Sequence, residues 1–235
     1  MLERFVARIE EKSKNNSSAP VNIAVIGDSV SQGCMQADVM DFDNVYHAVL
    51  KKMLEKRHPK CTFNVINSAV GGESAPGGLT RLDRDVISHF PDLVIVGYCL
   101  NDSCCGLDAL DNYTGSMRKI ISSIRSRINS DIILLTPNFM ASRINPAIAE
   151  EHMKYTDTII GNQKNGILKK YAYALKALAA EQEVPVADVY SEWEEMEKYG
   201  EDTTSMLCNG LNHPDVPRQK LIADTIFSLM EKAGV

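Results

Sequence analysis

The chain has 235 residues, 44% of them hydrophobic and 24% charged, and this balance excludes an intrinsically disordered protein. No run approaches the roughly 20 apolar residues a membrane-spanning helix needs. A net charge of −6 gives no support for nucleic-acid binding.

The chain begins "MLERFVARIEEKSKNN", where charges interrupt every apolar block, so it does not read as a secretory leader. The expectation is a cytoplasmic protein and one domain over residues 1–235. Short β-branched runs then alternate with helical patterns, as βαβ units do. The predicted strands are 21–27 (VNIAVIG), 62–70 (TFNVINSAV), 92–99 (DLVIVGYC), 131–138 (DIILLTPN) and 184–190 (VPVADVY). Several are almost wholly apolar, which fits a parallel sheet covered by helices on both faces.

Between these runs, Met117, Ile120, Ile121, Ile124 and Ile128 recur at helical spacing, as do Ile167, Leu168, Tyr171, Leu175 and Leu178. Ile222, Ile226, Leu229, Met230 and Ala233 mark a last helix. Residues 138–166 have the least clear periodicity and read as an insertion over the sheet edge, a common place for substrate contacts. The six cysteines show no zinc-type spacing, and a chain this long does not need disulfide stapling, so reduced thiols are expected.

Ligands of open parallel sheets bind beyond the carboxyl ends of the strands. Three of the five ends are rich in Gly, Ser, Asn and Asp. After the first strand comes "GDSVSQG", which alone reads as a turn in which Ser29 caps a helix. The other strand ends change that reading. "NSAVGGES" places Gly71 and Gly72 where a backbone N–H is unobstructed, "CLNDS" offers the amide of Asn101, and "NGLNHPD" offers His213 before the last helix. A serine hydroxyl needs a base and oxyanion donors to act as a nucleophile, and these residues are of the required kinds.

In this order the four blocks resemble the SGNH hydrolases, or GDSL-type esterases and lipases, over residues 21 to about 230. The resemblance implies a three-layer αβα fold with a flavodoxin-like five-stranded parallel sheet. It implies Ser29 as nucleophile and His213 as general base. It also implies an oxyanion hole of the Ser29 N–H, Gly72 N–H and Asn101 amide. The sequence departs from the family pattern at three places. Ala69 and Cys99 stand where the second and third blocks usually have glycine. Gly210 stands three residues before His213, where the family has the acid that orients the imidazole.

Asn209 could orient the ring instead through its amide oxygen, or a backbone carbonyl could do so; Asp202 and Asp215 are further candidates. Asp28 and Asp102 are expected to hold their loops through backbone hydrogen bonds, and Ser31 to help cap the helix after Ser29. His47, His58, His89 and His152 read as solvated or packing residues, the acidic run 191–202 as a solvated helix face, and Trp193 as either core or site.

The reaction so implied is ester hydrolysis through an acyl-enzyme, with no metal and no cofactor. Its partner is a small-molecule ester, most simply an acetyl ester of a carbohydrate or other small polar molecule, with no nucleic acid and no membrane involved. The alternatives are a lysophospholipase or lipase-type acyl hydrolase, and a degenerate carbohydrate-binding domain. A nucleotide-binding reading lacks Gly-x-Gly-x-x-Gly and the P-loop lysine.

Overall fold

The computed structural model describes residues 2–37 and 39–235. Strands β1 (Val21–Gly27), β2 (Phe63–Asn67), β3 (Leu93–Gly97), β4 (Asp131–Leu135) and β5 (Val186–Ala187) all pair in parallel, in the order β2-β1-β3-β4-β5. β1 and β3 lie inside the sheet, and Ile23 to Ile26 and Leu93 to Val96 are buried. Their unbroken apolar character follows from having helices on both faces. Edge strand β2 is the exception, with Asn64 and Asn67 exposed.

The helices are α1 (Glu3–Lys14), α2 (Ser29–Gln32), α3 (Tyr46–Arg57), α4 (Ala75–Asp85), α5 (Leu100–Ser103), α6 (Leu110–Arg127), α7 (Thr156–Lys164), α8 (Ile167–Glu181), α9 (Val189–Lys198) and α10 (Val216–Lys232). α3 packs on α10, while α4 packs on α6 and α6 on α8. Right-handed crossovers put these two sets on opposite faces of the sheet. The predicted stripe Met117, Ile120, Ile121, Ile124 and Ile128 is buried, as are Ile222, Ile226 and Met230; Leu229 and Ala233 pack at the border of the core.

α1 lies at the opposite end of the sheet from the strand carboxyl ends. The Phe5 N–H donates to Asp131 Oδ2 at 2.8 Å, and Arg4 and Arg8 donate to Asp92 Oδ1 at 3.1 and 3.2 Å. Asp131 opens β4 and Asp92 immediately precedes β3. No helix among the described residues is long and apolar enough to cross a membrane.

Four of the strands end earlier than the pattern predicts, so residues 68–70, 98–99, 136–138 and 188–190 lie beyond them, although the Ser68, Val70 and Thr136 N–H groups still donate to the Val25, Gly27 and Ala187 carbonyls. Residues 138–166 contain a 3-10 segment, Glu150–Tyr155, followed by α7, whose buried residues Thr156, Ile159 and Asn162 recur every three positions. Trp193 is core: it is fully buried, with its ring 5.9 Å from that of Phe139. All six cysteines are free.

Candidate active site

β1 and β3 are neighbours whose following connections run to opposite sides of the sheet, and such a switch point opens a crevice at the strand ends. The chain leaves β1 through Gly27. A Cβ there would stand 2.6 Å from both the Gly97 carbonyl oxygen and Ser31 Oγ, so only glycine allows the sharp exit. Asp28 caps α2, its Oδ1 accepting the Val30 N–H at 3.0 Å. Ser29 is thereby the first residue of the helix. Ser31, expected as a cap, instead pairs its hydroxyl with that of Tyr46 at 2.9 Å, because its side chain points into the core.

His213 reaches this corner from the segment before α10. Its Nε2 is 3.0 Å from Ser29 Oγ, and its Nδ1 is 2.7 Å from the Met35 carbonyl oxygen. A carbonyl oxygen only accepts, so Nδ1 carries the proton and Nε2 turns its lone pair to the serine hydroxyl. Burial, with repulsion from His152, lowers the imidazole pKa below its ordinary value, while the Met35 contact opposes the shift. The ring is therefore neutral near pH 7, as a proton acceptor must be.

The expected hydrogen bond between Asn209 and the ring does not form. Asn209 Oδ1 is occupied by the backbone N–H groups of Leu211, Asn212 and His213, at 3.0, 3.0 and 2.9 Å. It shapes the turn that carries the histidine, and the ring's partner is a main-chain carbonyl. Asp202 is spent on Arg143, and Asp215 caps α10 through the Arg218 N–H. Gly210 has φ +70°, and a Cβ on it would meet Ile148 Cγ1 at 2.8 Å and Ile148 N at 3.0 Å. The insertion closes over the place where the family carries its acid.

The backbone N–H groups of Ser29 and Gly72 have no hydrogen-bond partner among the described residues. Gly72 has φ +76° and open space where a Cβ would stand. Asn101 Nδ2 donates one hydrogen to the Glu73 carbonyl at 2.9 Å and keeps a second free. Glu73 is held in turn by the Arg81 guanidinium and by the Tyr98 hydroxyl, which donates to it at 2.6 Å. Asp102 Oδ1 accepts the Ala75 N–H at 2.9 Å, which ties the β3 and β2 exits together. Burial pushes Asp28 up to about 7 and Asp102 up to about 6.

Ser29, Gly72, Asn101 and His213 line one cleft of about 480 Å³. His152, Tyr155 and Thr158 from the insertion line it too. Sequence reasoning assigned His152 to solvent or packing; its only signal was its place in the aperiodic segment 138–166. Among the described residues no group of three or more His, Cys, Asp or Glu side chains is placed to hold a metal ion.

Residues 25–217 match the GDSL-like lipase/acylhydrolase family, a span that includes Ser29, Gly72, Asn101 and His213. The chain belongs to this family. It is 30% identical over 109 residues to an arylesterase of Vibrio mimicus, a match covering 46% of this chain and 51% of that one, so it spans about half the length of that relative. Its fold is similar to that of an acetylxylan esterase from Geobacillus stearothermophilus, with a TM-score of 0.68, 18% identity, and coverage of 91% of this chain and 95% of that one. An α/β hydrolase enzyme from the metagenome of Lake Arreo, Spain, superposes with a TM-score of 0.69 at 18% identity, over 93% and 98% of the two chains. Solved forms of the Geobacillus enzyme include catalytic mutants at a serine, an aspartate and a histidine. In this GDSL family member the histidine ring faces a backbone carbonyl instead of a carboxylate.

Proposed function

We propose that the chain is a carboxylic ester hydrolase that works through a Ser29 acyl-enzyme on short acyl esters, acetyl above all, of a carbohydrate or other small polar molecule. The observation that carries this reading is the relay from Ser29 Oγ to His213 Nε2 at 3.0 Å and from Nδ1 to the Met35 carbonyl at 2.7 Å. The unengaged N–H groups of Ser29 and Gly72 stand beside it in the same cleft.

Ser29 Oγ attacks the acyl carbon as His213 Nε2 takes its proton, and the carbonyl π electrons move to oxygen. The Ser29 N–H, the Gly72 N–H and the free Asn101 hydrogen stabilise that oxyanion. The tetrahedral intermediate collapses by breaking the bond to the alcohol oxygen, which leaves with the proton from Nε2. Water repeats the cycle on the acyl-enzyme: His213 takes its proton, the hydroxide adds, and Ser29 departs with the proton restored. The Met35 carbonyl keeps the imidazole in the required tautomer throughout, while giving the transient imidazolium less charge compensation than a carboxylate would.

The arrangement favours a catalyst over a binding module, because a site that only binds does not need a neutral imidazole aimed at a serine hydroxyl beside vacant N–H donors. The acetylxylan esterase among the fold neighbours supports acetyl esters of sugars. Ser29→Ala is expected to lower p-nitrophenyl acetate hydrolysis by about a thousandfold or more and to abolish labelling by a fluorophosphonate. Full activity in that variant would refute the mechanism. Activity climbing steadily from acetate to decanoate esters would replace the short-acyl reading with the lipase-type one.

A further inference from the structure

Among the described residues, those lining the cleft include no Asp, Glu, Lys or Arg, so an ionised substrate group finds no formal counter-charge among them. The insertion side of the cleft nevertheless carries several idle polar atoms. Neither ring nitrogen of His152, nor the Tyr155 hydroxyl, nor the Thr158 hydroxyl has a partner among the described residues. Asn212 uses its amide oxygen on Asn209 and leaves its own N–H₂ free beside them.

Two flat rings accompany these atoms, those of His152 and Tyr155, with centroids 6.1 Å apart. Tyr155 is 48% exposed although it lines a cleft, so its ring is available to a ligand. Lys154 Nζ lies 5.0 Å from the Tyr155 centroid and is not part of the cleft lining.

We propose that His152, Tyr155 and Thr158 form the subsite for the alcohol part of the ester, and that it takes an uncharged polyhydroxylated ring such as a pyranose. This rests on the ester-hydrolase reading and gives its substrate a definite class. A sugar offers C–H faces that pack on an aromatic ring and hydroxyls that both donate and accept. Imidazole, phenol, hydroxyl and amide meet those hydroxyls without desolvating an ion. An ammonium group on the alcohol would lose hydration with no carboxylate in the lining to replace it, and a carboxylate or phosphate would have only Lys154, which lies over the Tyr155 ring outside the lining. A plain aryl alcohol would use the rings and leave the polar atoms unpaired.

The test compares 6-O-acetylglucose with ethyl acetate, whose alcohol is too small to reach the insertion, and with phenyl acetate and acetylcholine. Tyr155→Ala and His152→Ala, both at accessible positions, are each expected to lower kcat/KM on 6-O-acetylglucose by about tenfold, mostly through KM, a loss of about 1.4 kcal/mol. Tyr155→Ala should lose far less activity on ethyl acetate than on the sugar ester, since Tyr155 makes no hydrogen bond to Ser29 or His213; His152→Ala also removes a repulsion on His213, so for that variant the readout is binding. Calorimetric binding of 6-O-acetylglucose to Ser29→Ala, with and without Tyr155→Ala or His152→Ala, gives a readout independent of turnover. Tyr155-dependent binding without wild-type turnover would retain the subsite and overturn the hydrolase reading. Unchanged kcat/KM and unchanged binding in both variants would overturn the subsite. A wild-type preference for acetylcholine, or a larger Tyr155 dependence on phenyl acetate than on the sugar ester, would overturn the polyhydroxylated class.

Discussion

Gly210 and Met35 together explain how a histidine can be oriented without an acid. At Gly210 the backbone is left-handed, at φ +70°, and Ile148 stands within contact of any Cβ, so a side chain there is opposed by both strain and crowding. Meanwhile the Met35 carbonyl occupies Nδ1 from the other side. Gly210→Asp is therefore expected to lower stability by about 1–3 kcal/mol in urea unfolding and not to raise kcat. A stable variant with faster turnover would show that the carboxylate fits after all. At this scale the sequence points to Ser29 and His213 as the proposed nucleophile and base because their side chains lie within blocks that resemble the family's. It does not identify Met35, because any residue supplies a carbonyl.

The exits of β2 and β3 act as one unit. Arg81 on α4 and Tyr98 after β3 both grip Glu73, and the Glu73 carbonyl holds the Asn101 amide. The fit is tight, since a Cβ on Gly78 would stand 2.1 Å from the Tyr98 hydroxyl. Tyr98→Phe keeps the ring and removes the hydroxyl that donates to Glu73. It is expected to cost about 1–2 kcal/mol of stability and to lower kcat roughly three- to tenfold with little change in KM, because the loop carrying Gly72 loosens. Unchanged steady-state kinetics would show that Glu73 is held well enough by Arg81 alone. Motif spacing places Gly72 and Asn101 at neighbouring strand ends, but the Glu73 connection appears only where α4, β2 and β3 meet in space.

Across the whole molecule, the doubly covered sheet buries ionisable groups around the site, which couples folding to pH. Asp28, raised by burial from 3.8 to about 7, binds its proton more tightly in the folded chain than in the unfolded one. Its contribution is fully present below the unfolded value and is lost as pH rises through about 7. Asp28→Asn keeps an oxygen to accept the Val30 N–H and removes this proton linkage. Its stability relative to wild type is expected to improve by at least about 1 kcal/mol between pH 5 and pH 8, measured by urea unfolding at both values. A constant difference across that range would show that Asp28 titrates at an ordinary carboxylate pH. His47 works in the opposite sense: burial lowers it to about 4, so its stabilising contribution is lost as the medium is acidified below about 6.5.

The alternation of strands and helices and the stripes that face the core could be read from the chain alone, because hydrophobic period is local; Ser29 and His213 stood out through the resemblance of four sequence blocks to the GDSL-type esterases. Only the tertiary structure decided what orients His213, why Gly210 carries no acid, and that His152 and Tyr155 enter the cleft. Each depends on segments far apart in the chain, as the Met35 carbonyl and His213 are at 178 positions' separation, and on backbone atoms that every residue possesses. The turn at "GDSVSQG" is thus legible in that stretch alone, the proposed nucleophile only when the other blocks are read beside it, and the support of His213 only once the chain has folded.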